Sequence, residues 1–303
     1  MIAIDIGSNS LRAIQIDCYS LDKIFEYEKV VQTADNLEKS SEISKEALDR
    51  IAKAIKEIQK RIDFSKESVK AVATAAFRKA KNQKEAIEYI KEKTGIDIEV
   101  IDPDMEGFYS AVAVEHLLSR LGLNSEKFLM CDIGGASVEF VIKNKEEIVT
   151  KSFDFGIVTI AQRFKTKENI VFGIKKYMEE IKIFLNDTYE IFGKPKRFVA
   201  TGGTPTTIAA IKKNLDYQNY NSDIVNGTVL FPTDIDNALN KLLKLSSSER
   251  AKLVGKGRED FIIPGVLILK EIMKTADFDE VLVSDEGVRE GVALIGCKKI
   301  LSK

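Results

Sequence analysis

Phe128–Ile142, FLMCDIGGASVEFVI, joins two apolar strand runs through an acidic residue and a turn of small residues. A near-copy opens the chain at Ile2–Asp17, IAIDIGSNSLRAIQID. In register, Asp5-Ile6-Gly7-Ser8-Asn9-Ser10 falls on Asp132-Ile133-Gly134-Gly135-Ala136-Ser137, a constant offset of 127 residues (132 minus 5). Gly and Ser strip bulk from a turn, so backbone N–H groups and short hydroxyls can close on an anion, while an Asp at the strand end can hold a divalent cation or its waters. The pair implies two phosphate hairpins facing each other across a cleft. Each copy alone also fits a plain β-hairpin with an Asp–Gly turn signal; repetition in register favours the phosphate reading.

Working outward, 303 residues exceed the size at which one core usually stops growing, so two domains are expected. The net charge of −1 argues against a broadly basic nucleic-acid-binding surface, and any polyanion site must be local. Cys18, Cys131 and Cys297 have no metal-ligand spacing, which predicts reduced, buried thiols and a cytoplasmic protein. An Asp5-bearing strand at the start argues against a cleaved leader. No run approaches ~20 apolar residues, so no membrane span is expected; Phe261–Leu269 is broken by Pro264. His116 is the single histidine and sits in a helical pattern, which sets aside Ser-His-Asp, Cys-His and His-zinc chemistry.

Between the hairpins, Lys23–Ala34 reads as a further strand, Ser41–Ile62 as a helix begun by Ser44, and Lys70–Phe77 as a strand leading into Arg78. A helix over Gln83–Lys93 ends at Gly95, and Ile96–Ile101 is the next strand. At Asp102-Pro103-Asp104-Met105-Glu106-Gly107, Asp102 suits an N-cap and Pro103 the first helical position. Glu106 then falls in the first turn of a helix after a strand's carboxyl end, where open α/β sheets bind ligands. The helix dipole alone also favours a Glu there, and both roles stay open. After Glu147–Phe155 and a long helix near Glu168–Phe192, Arg197–Thr201 runs into Gly202-Gly203-Thr204-Pro205-Thr206-Thr207, a third candidate anion loop. Ser246 and Glu249 fit a capping box, and Gly255-Lys256-Gly257-Arg258 reads as a solvated basic turn. No GxGxxG or GxxxxGK[ST] occurs.

Two α/β halves, each opening with such a hairpin, resemble the acetate kinase, sugar kinase, heat-shock protein 70 and actin superfamily. Within it the chain resembles the exopolyphosphatase and guanosine pentaphosphate phosphohydrolase family. The motifs are Asp5–Arg12 (DIGSNSLR), Ala73–Asn82 (ATAAFRKAKN), Ile101–Gly107, Asp132–Glu139 (DIGGASVE), Ala200–Thr204 (ATGGT) and Ser284–Gly291 (SDEGVREG). The resemblance implies an α/β fold of two ribonuclease H-like (actin-like ATPase) domains, residues 1–122 and 123–303, with a terminal helix near 288–303 able to pack back on the first. It implies Glu106 as the carboxylate that activates the attacking water and Arg78 as a phosphate-binding arginine. Asp132 and Glu139 match magnesium-associated acids, with Asp5 a further candidate. Ser8, Asn9, Ser10, Gly134, Gly135, Ala136, Ser137, Gly203 and Thr204 would line the phosphates.

By the same resemblance the chain is expected to be a magnesium-dependent hydrolase releasing terminal phosphate from polyphosphate, guanosine pentaphosphate or both. A monovalent ion requirement and a homodimer are left open. A kinase of the superfamily, or a non-catalytic guanosine tetraphosphate or polyphosphate sensor, are the alternatives. Ala136 stands where the family turn has a third Gly, Met105 replaces the first of two paired glutamates, and Pro103 replaces a Gly. With a net charge of −1 and no added basic track, release from long chains is expected to be distributive.

Overall fold

The computed structural model describes residues 1–302 and divides them into two compact units, 1–113 together with the segment from Val288 onward, and 114–287. In the first unit, β1 (Ile2–Ile6), β2 (Ser10–Ile16) and β3 (Lys23–Val30) form an antiparallel meander. Then follow α1 (Leu37–Ser40), α2 (Lys45–Gln59), β4 (Val69–Ala73), α3 (Ala75–Lys79), α4 (Gln83–Thr94), β5 (Ile98–Val100) and α5 (Pro103–Arg120). The sheet order is β3-β2-β1-β4-β5, with β1, β4 and β5 parallel.

Local chemistry accounts for these elements. Ser44 caps α2 by accepting from the Ala47 N–H at 3.2 Å, and Ala47, Leu48, Ile51, Ala54, Ile55 and Ile58 form its buried stripe. Gly95 ends α4 at a φ of 75°, where a side chain would be strained. The strand expected over Lys70–Phe77 stops at Ala73: the Ala-rich segment that follows coils into α3, with the Arg78 N–H donating to the Thr74 carbonyl at 3.1 Å.

Alternation along β1 decides which side faces which core. Ile2, Ile4 and Ile6 pack with α2 and α4, whereas Ala3 joins Met1, Ile14, Ile16 and Val72 on the opposite face. Asp5, between Ile4 and Ile6, lies on that second face.

The second unit repeats the plan. It runs β6 (Lys127–Ile133), β7 (Val138–Asn144), β8 (Glu147–Phe153), α6 (Ile157–Arg163), α7 (Lys167–Phe192), β9 (Phe198–Thr201), α8 (Gly203–Lys212), α9 (Ser222–Val225), β10 (Val229–Leu230), α10 (Pro232–Lys244), α11 (Ser247–Val254), α12 (Ile262–Ala276) and β11 (Val281–Val283). The sheet order is β10-β11-β9-β6-β7-β8, with β6, β9 and β11 parallel. Leu129, Cys131, Ile133, Phe140 and Ile142 point into a large apolar core completed by α7, α8, α10 and α12. Burial pushes the Cys131 thiol well up, helped by the charges of Asp132 and Glu139, so it stays protonated and inert. Among the described residues no helix is long and apolar enough to cross a membrane.

The last helix, α13 (Val288–Leu301), belongs to the first unit. Val288, Val292, Ala293, Leu294 and Cys297 cover the Ala3–Ile14–Val72 face together with Tyr109 of α5. The division between the units therefore falls at Ala113/Val114, inside α5, and not at the expected 122/123: α5 is one unbroken helix whose first half contributes to the first core.

Docking of α13 also overturns the expectation of three reduced thiols. Cys18 and Cys297, 279 residues apart in sequence, are joined in a disulfide, and only Cys131 remains free. Spacing along the chain could not show this, because it is the return of α13 that brings the two together.

At the start of α13, buried Arg289 pairs with Glu290 beside it and, at 2.6 Å, with Glu26 of β3. Burial pushes the Glu26 carboxyl up, but the guanidinium, aided by Lys23, outweighs it and holds the group at about 2 against an ordinary 4.5. A depressed carboxyl stabilises the fold above its unfolded value, and the gain disappears as pH falls from 4.5 toward 2. Glu26→Gln is expected to cost about 2 kcal/mol at pH 7, a figure reduced for the partial exposure of Glu26. Urea unfolding should show variant and wild type converging as pH drops through that window; an equal gap at pH 7 and pH 3 would contradict the pairing.

Candidate active site

In the first unit three loops converge at the carboxyl ends of the parallel strands β1, β4 and β5, the edge at which α/β sheets bind ligands. The turn after β1 closes with the Gly7 N–H donating to the Ser10 carbonyl at 3.0 Å. After β4 comes α3, with Arg78 in its last turn. After β5, Asp102 caps α5 by accepting from the Met105 N–H at 2.8 Å, so Glu106 sits in the first helical turn, as expected.

Glu106 is buried, 7 % exposed, and it is not left to the helix dipole alone. Arg78 Nη1 donates to Glu106 Oε2 at 2.6 Å and to the Ile101 carbonyl at 2.8 Å. A planar guanidinium anchored on a backbone carbonyl fixes the carboxylate in one orientation, and both bonds use a single nitrogen of its fork.

The second unit has the same construction at the ends of β6, β9 and β11. Its hairpin closes with the Gly134 N–H donating to the Ser137 carbonyl at 3.1 Å, the same bond displaced by 127 residues (134 minus 7). In both copies other backbone holds the turn from behind. Ser8 and Asn9 carbonyls accept from Ala34 (2.8 Å) and from Val31 and Gln32 (both 2.9 Å), while Gly134 and Gly135 carbonyls accept from Ile157 (3.0 Å) and Val158 (2.8 Å). Peptide units are planar, so the N–H groups of Asn9, Ser10, Gly135 and Ala136 are turned to the opposite side of each loop.

No residue of either turn has φ in the left-handed region. The Asp–Gly hairpin turn needs such angles, so the small residues here provide room instead. That is why Ala136 fits where the related turn has Gly: its Cβ meets no backbone strain. Room is scarce elsewhere. A Cβ on Gly156, which opens α6, would lie 2.6 Å from the Ala136 nitrogen, and one on Gly202, at a φ of 95°, would lie 2.9 Å from Asp132 Oδ1.

Strand register places the acids. Across β3, β2, β1 and β4, Glu28, Arg12, Asp5 and Val72 stand side by side on one face. Across β8, β7, β6 and β9 the equivalent row is Ser152, Glu139, Asp132 and Thr201. In the first row Arg12 is the strand partner of Asp5 and approaches Glu28 at 3.5 Å. The second row has Glu139 where the first has Arg12, and Ser152 Oγ donates to Glu139 Oε1 at 3.1 Å. Two neighbouring carboxylates with a glycine-lined approach suit a hard cation that keeps waters and takes phosphate oxygens. No group of three or more potential metal ligands occurs among the described residues. Asp5, the third candidate ligand, lies in the first row, with Arg12 as its strand partner.

Of the third loop, Gly203 begins α8 and faces the Arg258 guanidinium, 3.8 Å from where its Cβ would be. Thr204 is turned away: its hydroxyl packs against Gly265 of α12, so the side chain does not serve the loop's open side as expected. Arg258, read from sequence as part of a solvated turn, is instead set at a helix N-terminus by the packing of α12 on α8. Only that long-range packing reveals it.

The model of the Ppx/GppA phosphatase family matches residues 13–299. The chain is 26% identical over 97% of its length to a bifunctional 3-dehydroquinate synthase/phosphatase of Fusobacterium nucleatum, and spans 46%, about half, of that longer protein. It is 23% identical to exopolyphosphatase 2 of Mycobacterium tuberculosis, covering 96% of this chain and 97% of that one. The crystal structure of the Aquifex aeolicus Ppx/GppA family member is 30% identical with a TM-score of 0.75, covering 99% and 97% of the two chains, and has the two-domain actin-like ATPase fold expected from the sequence.

Proposed function

Because this chain belongs to the Ppx/GppA phosphatase family, we propose that it is a magnesium-dependent hydrolase that releases terminal orthophosphate from inorganic polyphosphate, with guanosine pentaphosphate as a second substrate of the same chemistry. The observation that carries the reading is the Glu106–Arg78 pair at 2.6 Å, a carboxylate held by a guanidinium at the ligand-binding edge of a sheet, in a chain with one histidine. Cleaving a phosphoanhydride needs a positioned water and cationic surroundings more than a covalent intermediate.

In the proposed reaction Glu106 accepts a proton as the water oxygen forms its bond to the terminal phosphorus and the bridging P–O bond breaks. The electron pair leaves with the shortened chain, whose phosphate oxygen is a stable anion and needs no acid. Arg78 steadies Glu106 and offers its fork to the equatorial oxygens. The N–H groups of the two hairpin turns bind phosphate oxygens. Magnesium, held by Asp132 and Glu139, would neutralise charge on the phosphates when bound.

Phosphate release from long-chain polyphosphate, with and without magnesium, tests the reading, and gel analysis of the same digest shows whether chains shorten together. In Asp132→Asn the magnesium needed for half-maximal release is expected to rise about tenfold or more, since a charged ligand becomes neutral. Binding of polyphosphate without any release would leave a sensor, and an unchanged magnesium requirement would remove Asp132 from the metal site.

A further inference from the structure

The two register rows differ at one position that packing does not explain. Val72 closes the first row beside Asp5; Thr201 closes the second beside Asp132. Thr201 is 1 % exposed, and its Oγ1 finds no hydrogen-bond partner within the protein. A buried hydroxyl without a partner is costly, and Val, which has the same shape, would avoid the cost, as it does in the first unit. Strand partners point to the same face, so Thr201 projects alongside Asp132. The next residue, Gly202, lies against Asp132 Oδ1. The unsatisfied hydroxyl therefore stands at the end of the row that has two neighbouring carboxylates, Asp132 and Glu139.

We propose that Thr201 is a positioning residue for the divalent cation held by Asp132 and Glu139, its hydroxyl bonding a water or phosphate oxygen of the cation's own shell. This rests on the magnesium reading of that row. A neutral hydroxyl is a poor replacement for a carboxylate ligand, but well suited to orient a ligand the cation brings with it; outer contacts of this kind commonly change metal affinity about 10- to 100-fold. Only when the cation is bound would the hydroxyl be satisfied.

The test uses the intact chain and Mn2+ as the probe, followed by its electron paramagnetic resonance signal, with Mg2+ as competitor and no substrate present. Thr201→Val is expected to weaken Mn2+ binding about tenfold, while the unfolding midpoint without metal stays level or rises, because an unpartnered hydroxyl has been removed. Thr201→Ser should bind almost as the wild type does. Asp132→Asn should weaken binding more than Thr201→Val does, since a charged ligand becomes neutral. If the wild type binds Mn2+ and binds it more weakly in Asp132→Asn, but Thr201→Val binds as tightly as the wild type, the inference about Thr201 fails and the metal site stands. A lower midpoint in Thr201→Val with unchanged affinity shows a merely structural residue and also overturns it. If the wild type binds no Mn2+, the magnesium reading of the row fails and this inference with it.

Discussion

Glu106→Gln is expected to cut phosphate release by about 10²–10⁴-fold, the usual cost of losing a general base, with substrate binding largely retained. Gln keeps the side chain's length, so the first turn of α5 need not repack. Arg78 loses a charged partner at 2.6 Å but keeps the Ile101 carbonyl at 2.8 Å, so the fold should survive, with a modest drop in unfolding midpoint. Initial rates on polyphosphate and equilibrium binding of the same chains, measured together, separate the two effects. Turnover near the wild-type level would leave Glu106 as a counter-ion for Arg78 and a partner of the helix dipole.

The second large effect is on stability. A Cβ added at Gly291 would overlap the carbonyl oxygen of Tyr109. Both groups belong to helix backbones, α13 and α5, so no flexible side chain can swing aside, and the clash can be relieved only by moving a helix. Gly291→Ala is expected to destabilise the first unit by about 3 kcal/mol, the upper end for overpacking. Its counterpart Gly287→Ala, whose Cβ would meet nothing within 4 Å, is the matched control. Urea unfolding of the pair decides the point: equal midpoints would show that α13 does not sit so close to α5.

What was legible in the sequence was local. The 127-residue offset predicted the repeated strand-turn-strand, and Asp102-Pro103 predicted the helix that carries Glu106. The Ser246–Glu249 box, which caps α11, was likewise readable from four residues. What was missed depends on partners far away in sequence. Arg258 faces Gly203 only because α12 packs on α8, Thr204 turns its hydroxyl to Gly265 for the same reason, and Cys18 meets Cys297 only once α13 has docked. The end of β4 was misjudged for a different reason: Ala and Phe suit a buried strand as well as a helix, and only tertiary context chose α3.

The dispersed first unit also sets an order for folding during synthesis. Residues 114–287 are continuous, so the second unit can close its core while its neighbour still lacks a wall. The face of the first sheet lined by Ala3, Ile14, Ile16 and Val72 stays open until Val288–Leu301 has left the ribosome, after the whole of the other unit. Contacts of such long sequence separation form slowly, and the exposed apolar face is a target for chaperones in the interval. Ala3, Ile14 and Val72, although translated before the whole of the second unit, would then be among the last to reach their final surroundings.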